Sequence, residues 1–134
     1  MSAISLLICD DSSLARKQLL QALPAGWPVV VSQAATGIEA LERVRQGDID
    51  VLLLDLTMPE LDGYQVLAQL REEKLPCKTI VISADIQDEA VRRVLALGAL
   101  AFIKKPADPV HLQQTLASLG LLDDLSTLIG REEG

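Results

Sequence analysis

Five polar residues of this chain carry side chains that could act together on a phosphoryl group. Each stands at or just after the end of an apolar run: Asp10, Asp11, Asp55, Ser83 and Lys105. Three carboxylates in one place repel one another and need a counter-charge, which a hard cation such as Mg²⁺ supplies through oxygen ligands. Asp55 would then attack phosphorus, while the Lys105 ammonium neutralises charge and the Ser83 hydroxyl donates to a phosphoryl oxygen.

The apolar runs themselves predict five β-strands, at residues 4–9, 28–32, 50–54, 78–83 and 99–103. Because the runs are apolar on both faces, they are typical of a parallel sheet that helices cover on both sides. Amphipathic stretches follow the runs and predict five helices. Their apolar residues are Leu14, Leu19, Leu20 and Leu23; Ile38, Leu41 and Val44; Tyr64, Leu67 and Leu70; Ala90, Val91, Val94 and Leu95; and Leu112, Leu116 and Leu119.

This alternation predicts an α/β chain with a (βα)5 doubly wound, flavodoxin-like fold and a five-stranded parallel sheet. Nothing chargeable follows the second strand, where the chain reads Gln33-Ala34-Ala35. We therefore expect that strand at the edge, in the order 2-1-3-4-5, which brings the carboxyl ends of the other four strands together. The polar residues named above would then meet at one edge of the sheet.

Length and charge exclude several classes of function. The chain has 134 residues, 49% of them hydrophobic, and a formal net charge of −7. Such a charge disfavours binding to nucleic acid or to an anionic membrane, and no apolar run approaches the roughly 20 residues that span a bilayer. Two isolated cysteines and the absence of a secretory signal favour a cytoplasmic location. We expect one domain at residues 1–122 and a tail or linker stump at 123–134.

The chain resembles the receiver domain of two-component response regulators, chemotaxis regulators included, over about residues 4–122. The motifs that carry the resemblance are Asp10-Asp11, Asp55, Met58-Pro59-Glu60-Leu61-Asp62-Gly63, Ser83-Ala84, Gly98-Ala99 and Lys105-Pro106. Together they form a specific set. One departure is Ala107, which stands where this family often has Phe, and another is Lys104, which adds a second cation beside the predicted pocket.

The resemblance implies a role for each matching residue around the phosphoacceptor Asp55. Mg²⁺ would be bound directly by Asp11, by the Asp55 carboxylate and by the Thr57 backbone carbonyl, with Asp10 acting mostly through water. Lys105 would pair with the phosphoryl group. The peptide bond from this lysine to the following proline is typically cis in this family.

Two further residues would form the switch, and others would tune it. The resemblance implies that the Ser83 hydroxyl shifts toward the new phosphoryl group and that the Phe102 ring changes rotamer. Thr57 and Asp85 occupy positions that tune dephosphorylation in the family. We hypothesise that Asp85 orients a hydrolytic water.

The implied function is that of a signalling phosphoprotein rather than a turnover enzyme. The chain would phosphorylate and dephosphorylate itself, with a sensor histidine kinase, a phosphotransfer protein or a small phosphodonor supplying the group. A downstream effector protein or domain would bind the face of the fourth helix, fifth strand and fifth helix. Candidate contacts on that face are Arg92, Arg93, Phe102, Lys104 and His111.

Three alternatives remain open at the level of sequence. A haloacid-dehalogenase-type hydrolase needs an Asp two positions after the nucleophile, where this chain has Thr57. An FMN binder needs a phosphate loop after the first strand, where Asp10 and Asp11 would repel phosphate. A degenerate receiver would act as an interaction module without phosphorylation, although every chemical residue is present.

Overall fold

Strands and helices alternate from residue 4 to residue 118, as predicted. The computed structural model describes residues 3–122, so the predicted tail at 123–134 lies outside the described residues. The elements are β1 (Ile4–Cys9), α1 (Ser13–Ala22), β2 (Val29–Ala34), α2 (Gly37–Arg45), β3 (Val51–Leu54), α3 (Gly63–Glu72), β4 (Lys78–Ser83), α4 (Asp88–Ala96), β5 (Ala101–Lys104) and α5 (Pro109–Ser118).

All five strands form one parallel sheet in the order β2-β1-β3-β4-β5, which confirms the predicted fold and strand order. The last residues of β1 and β3, Cys9 and Leu54, lie opposite each other. Three strands differ from their predicted bounds: β3 begins one residue later, at Val51, and β2 and β5 are displaced toward the carboxyl terminus at both ends. Strand β2 continues to Ala34, and β5 begins only at Ala101. The later start of β5 arises because Gly98 has a φ of +108° and the Ala99 N–H bonds to Val94, which makes these residues the end of α4.

Two hydrophobic cores cover the two faces of the sheet, because successive strand residues point to opposite sides. One core combines alternate strand residues with α2, α3 and α4, and the other combines the remaining strand residues with α1 and α5. Three apolar residues of the predicted helical stripes are exposed to solvent. Leu14 is 63% exposed, and Ile38 and Leu95 are each 46% exposed. Each occupies the first or last turn of its helix, beside an end of the sheet, where neighbouring elements leave it uncovered.

Both cysteines are free. Cys9 is fully buried and Cys77 is partly buried. Burial, together with the nearby charge of Asp10, raises the pKa of the Cys9 thiol to about 12. Cys9 therefore acts as a small core residue, with its Sγ 3.5 Å from the Met58 sulfur.

Four of the five helices begin with a side-chain cap. The caps of α1, α2, α3 and α5 are Ser12, Thr36, Asp62 and Asp108, each accepting a hydrogen bond from a backbone N–H of the first turn. Helix α4 differs, because its N-cap residue Gln87 makes no such bond. Among residues 3–122, no helix has the combination of length and apolar character that crossing a membrane requires.

The chain after α5 is fastened to the loop between α1 and β2. The indole N–H of Trp27 donates to the Leu121 carbonyl at 3.2 Å, and Leu122 is buried. Gly120 makes the turn possible with a φ of +78°, and the Leu121 N–H bonds back to Leu116. Trp27 precedes β2, so this contact lies at the amino edge of the sheet, opposite the edge where Asp10 and Asp55 stand.

The loop between β3 and α3 packs closely enough to require glycine at position 63. A Cβ there would lie 2.6 Å from the Asp55 carbonyl oxygen and 2.8 Å from the Leu56 Cα. The Gly63 N–H also bonds to the Leu56 carbonyl at 2.9 Å. Because the obstructing atoms belong to the backbone, they have little freedom to move aside. Gly63 therefore lets the start of α3 press against the end of β3.

We expect Gly63→Ala to lower the free energy of unfolding by about 1–3 kcal/mol, the usual cost of overpacking. Urea unfolding measures the change. Gly47→Ala is the matched control, because a Cβ at Gly47 meets nothing within 4 Å and its cost comes only from the φ of +85°. We also expect the backbone amide resonance of Asp55 to shift only in the Gly63 variant. A shift of equal size in both variants would contradict this account.

Candidate functional site

Two buried carboxylates and one exposed carboxylate meet at the carboxyl edge of the sheet. Asp10 and Asp55 are 1% and 6% exposed, whereas Asp11 is exposed. The backbone holds the buried pair in place, because the Asp10 N–H bonds to Ala34 on β2 and the Asp55 N–H bonds to Cys9 on β1. One ligand oxygen from each of the three carboxylates lies within 4.8 Å of the others. The predicted convergence of these residues is therefore present in the structure.

Lys105 brings a positive charge into the same cluster. Its Nζ lies 2.6 Å from Asp10 Oδ2 and 3.2 Å from Asp55 Oδ1. The residue follows β5 directly, its N–H bonds to the Ser83 carbonyl, and its bond to Pro106 is cis, as the family resemblance implies. Lys104, the second cation expected beside the pocket, is exposed and forms no ion pair with either buried carboxylate.

The charges in this cluster alter one another's protonation. Burial, reinforced by the charge of Asp10, raises the pKa of the Asp55 carboxyl, while Lys105 and the Thr57 backbone N–H act in the opposite direction. Burial alone would lower the pKa of Lys105. Its hydrogen bond to Asp10 and the charge of Asp55 outweigh that effect and raise the pKa. Lys105 therefore stays protonated and favours the ionised form of the carboxylate that would act as nucleophile.

The donor set fits a hard divalent cation. All three side chains offer carboxylate oxygens, and the buried Asp10 Oδ2 has the Lys105 ammonium as its one partner among residues 3–122. Asp10 Oδ1 is already occupied by the Ser12 N–H at 2.9 Å. Mg²⁺ suits this set, because it is usually bound by one or two carboxylates, keeps several waters and also binds phosphate. The exposed position of Asp11 leaves one side of the cluster open to solvent.

Of the two predicted switch residues, Ser83 lies beside this cluster, because the Lys105 N–H bonds to its carbonyl. Ser83 ends β4 and is 1% exposed, and its Oγ accepts a hydrogen bond from the Asp85 N–H at 3.1 Å. The Asp85 carboxylate in turn accepts the Gln87 N–H at 3.1 Å. Phe102 on β5 is partly buried against the core under α4. Ser83 is thus linked to the first residue before α4 by two consecutive hydrogen bonds.

The candidate partner face contains one contact that the sequence does not predict. Arg92, Lys104 and His111 are exposed, as a partner surface requires. The guanidinium of Arg93 instead stacks over the Tyr64 ring, 3.9 Å from its centroid, and so joins α4 to α3. Arg93 therefore has an intramolecular partner in this structure.

Sequence patterns also do not predict the role of Arg16. Its Nη1 donates to the Asp10 backbone carbonyl at 2.6 Å, and its Nε donates to Gln33 Oε1 at 2.8 Å. An arginine on an amphipathic helix is usually a solvated surface residue, and no local spacing marks a bond to a strand end six residues earlier. The one signal available in the sequence is that Arg16 lies in the turn of α1 nearest the end of β1.

Comparison with known proteins shows the family to which this chain belongs. The response regulator receiver domain family matches residues 6–117. The chain is 32% identical to the chemotaxis protein CheY of Treponema pallidum over 84% of this chain and 80% of CheY. It is 37% identical to a protein-glutamate methylesterase/protein-glutamine glutaminase of Symbiobacterium thermophilum, over 85% of this chain but only 32% of that larger protein.

The fold of this chain is also similar to that of a solved structure. CheY of Borrelia burgdorferi, crystallised as a complex with CheX, BeF3 and Mg²⁺, is 34% identical and superposes with a TM-score of 0.79. The match covers 87% of this chain and 88% of that one. The family match, the strand order and the cluster of Asp10, Asp55 and Lys105 point to the same conclusion: this chain belongs to the response regulator receiver domain family.

Proposed function

We propose that this chain is a phosphorylation-dependent signalling switch that accepts a phosphoryl group on Asp55. The observation that carries the proposal is the cluster itself, in which a buried carboxylate lies 3.2 Å from the Lys105 ammonium and beside two further carboxylates. The donor would be a phosphohistidine on a sensor kinase or phosphotransfer protein, or a small acyl phosphate. The two free cysteines suit a reducing compartment, and we propose the cytoplasm.

The transfer needs little beyond positioning and charge neutralisation. An Asp55 oxygen attacks phosphorus and forms the acyl phosphate bond, while the bond from phosphorus to the donor's nitrogen or oxygen breaks and its electron pair leaves with the donor. The Lys105 ammonium would move from Asp55 toward the new phosphoryl oxygens. Asp10, Asp11 and Asp55 would hold Mg²⁺, together with the Thr57 carbonyl, and bound Mg²⁺ supplies neutralisation of the phosphoryl charge.

The switch would begin at Ser83. A phosphoryl group on Asp55 adds acceptor oxygens, and a shift of the Ser83 hydroxyl toward them would remove the acceptor of the Asp85 N–H. The loop before α4 would then lose one of the two hydrogen bonds that hold it, and α4 has no side-chain cap to replace it. Phe102 would turn inward, and the face of α4, β5 and α5 would change for a downstream effector.

Phosphorylation itself is tested by intact mass. We expect acetyl phosphate to add one phosphoryl group to the wild-type chain only when Mg²⁺ is present, and to add none to Asp55→Asn, because an amide is not a nucleophile of this kind. Chelation of Mg²⁺ should abolish the gain.

A folded wild-type chain that gains no mass under any condition, and that also binds no beryllofluoride with Mg²⁺, would contradict the proposal. That result would favour an interaction module that works without phosphorylation. Binding of beryllofluoride without a mass gain would instead indicate an acyl phosphate too short-lived to detect.

Asp85 provides a second test, which concerns loss of the phosphoryl group. We expect Asp85→Asn to slow autodephosphorylation, because the amide retains an oxygen for the Gln87 N–H but loses the charge that would orient a water. Decay of the phosphorylated mass with time measures the rate. The control is Asp88→Asn, which changes a carboxylate three residues after Asp85, in the first turn of α4. Equal decay in wild type and Asp85→Asn would remove this role.

A third test concerns the start of α4. Gln87→Asp places a capping carboxylate at the only uncapped helix start among residues 3–122, and should raise the free energy of unfolding by about 0.5–2 kcal/mol. We expect beryllofluoride with Mg²⁺ to speed amide hydrogen exchange in the first turn of α4 in the wild type, and to do so less in this variant. Gln113→Asp, on the exposed side of α5, adds the same charge without a cap. Identical exchange in wild type and Gln87→Asp would contradict the proposed path.

A further inference from the structure

The end of β1 leaves a buried backbone carbonyl that no strand can satisfy. The strand pairing stops at Cys9, yet Asp10 is only 1% exposed. The Asp10 N–H still finds a partner in the Ala34 carbonyl at 3.1 Å. Its carbonyl is instead paired with the guanidinium of Arg16 at 2.6 Å. Because an unpaired buried carbonyl is costly, Arg16 takes the place that a neighbouring strand would fill.

The Arg16 guanidinium makes a second hydrogen bond, to Gln33. It therefore restrains the position of the Asp10 carbonyl as well as supplying its hydrogen-bond donor. Nε donates to Gln33 Oε1 at 2.8 Å, and Gln33 lies opposite Ile8 in the pairing of β1 with β2. Two donors of one planar group therefore join α1, the end of β1 and the edge strand. A lysine at this position would keep the charge but lose the fork that reaches both acceptors.

The carbonyl that Arg16 holds belongs to Asp10, whose carboxylate is part of the acidic cluster. Asp10 Oδ1 accepts the Ser12 N–H, and Oδ2 faces Lys105. Because the Asp10 carbonyl belongs to the peptide that joins Asp10 to Asp11, a rotation of this peptide would move both carboxylates. We propose that Arg16 is a positioning residue that sets the Asp10-Asp11 pair in the geometry that binds Mg²⁺. This inference rests on the proposed function, because it assumes that the acidic cluster binds the cation.

A positioning role and a purely electrostatic role of Arg16 predict opposite changes in Mg²⁺ affinity when Arg16 is replaced. Arg16 lies near carboxylates that would hold a divalent cation, so its positive charge by itself opposes Mg²⁺ binding. If Arg16 acted only through charge, Arg16→Gln would bind Mg²⁺ more tightly. If Arg16 acts by positioning, the same variant binds Mg²⁺ more weakly, by about tenfold, the lower end of the usual loss when a residue supporting a metal ligand is removed.

The experiment is a calorimetric titration of MgCl2 into the wild type, Arg16→Gln and Arg16→Lys, with circular dichroism to establish folding. We expect both variants to bind Mg²⁺ more weakly, because both lose the fork. Arg71→Gln is the matched control: Arg71 also donates to a backbone carbonyl, that of Ala96 at 2.7 Å, but joins α3 to the end of α4. It should lower the melting temperature and leave the Mg²⁺ Kd unchanged.

Each outcome decides the inference. Tighter or unchanged binding by Arg16→Gln, or wild-type affinity in Arg16→Lys, would overturn it while leaving the proposed function intact. Failure of the wild type to bind Mg²⁺ would overturn both together. If Arg16→Gln does not fold, Gln33→Leu removes only the second anchor of the guanidinium. That variant should still weaken Mg²⁺ binding by a smaller factor, and unchanged affinity there would overturn the inference.

Discussion

The ammonium of Lys105 lies between two buried carboxylates, and most of the fold can be understood as the framework that this cluster needs. Carboxylates that stand side by side are stable only when a counter-charge is held against them. Asp10, Asp55 and Lys105 come from the ends of three different strands, 95 positions apart at the extremes, so those strands must be parallel and must end at one edge. The sheet order places β3 next to β1 and β4 between β3 and β5, which meets this condition.

Close packing then limits how the loops around the cluster can move. Gly63 allows α3 to start against the Asp55 carbonyl, and Arg16 fastens the Asp10 carbonyl from α1. Helix α4 is held less firmly, since its start depends on hydrogen bonds through Ser83 and Asp85 and not on a cap. The tightly packed loops around Asp10 and Asp55 suit the binding of charge, and the more weakly held start of α4 suits a conformational change.

The features of this fold that depend on local sequence pattern could be predicted. Buried parallel strands are continuous apolar runs. The second strand carries no charged residue at its end, which indicates an edge position, and the order 2-1-3-4-5 satisfies that and brings the polar residues together at Asp55. The contacts of Arg16 with Gln33 and of Arg93 with Tyr64 could not be predicted. Such contacts join side chains of different elements, whose distance depends on helix packing and not on spacing along the chain. Exposure of Leu14 was missed for a related reason, because periodicity identifies a helical face but not how far the sheet extends beneath it.

The attachment of Trp27 to Leu121 has a spectroscopic consequence. Trp27 is the only tryptophan of the chain, and its indole is buried at the amino edge of the sheet. A six-residue strand separates that edge from the acidic cluster by about 20 Å. We therefore expect the intrinsic tryptophan fluorescence of this protein to report on how the chain leaves α5, and to respond little to the chemistry at Asp55. A tethered domain or a bound protein that pulls Leu121 away from the indole would change the emission without any event at the cluster.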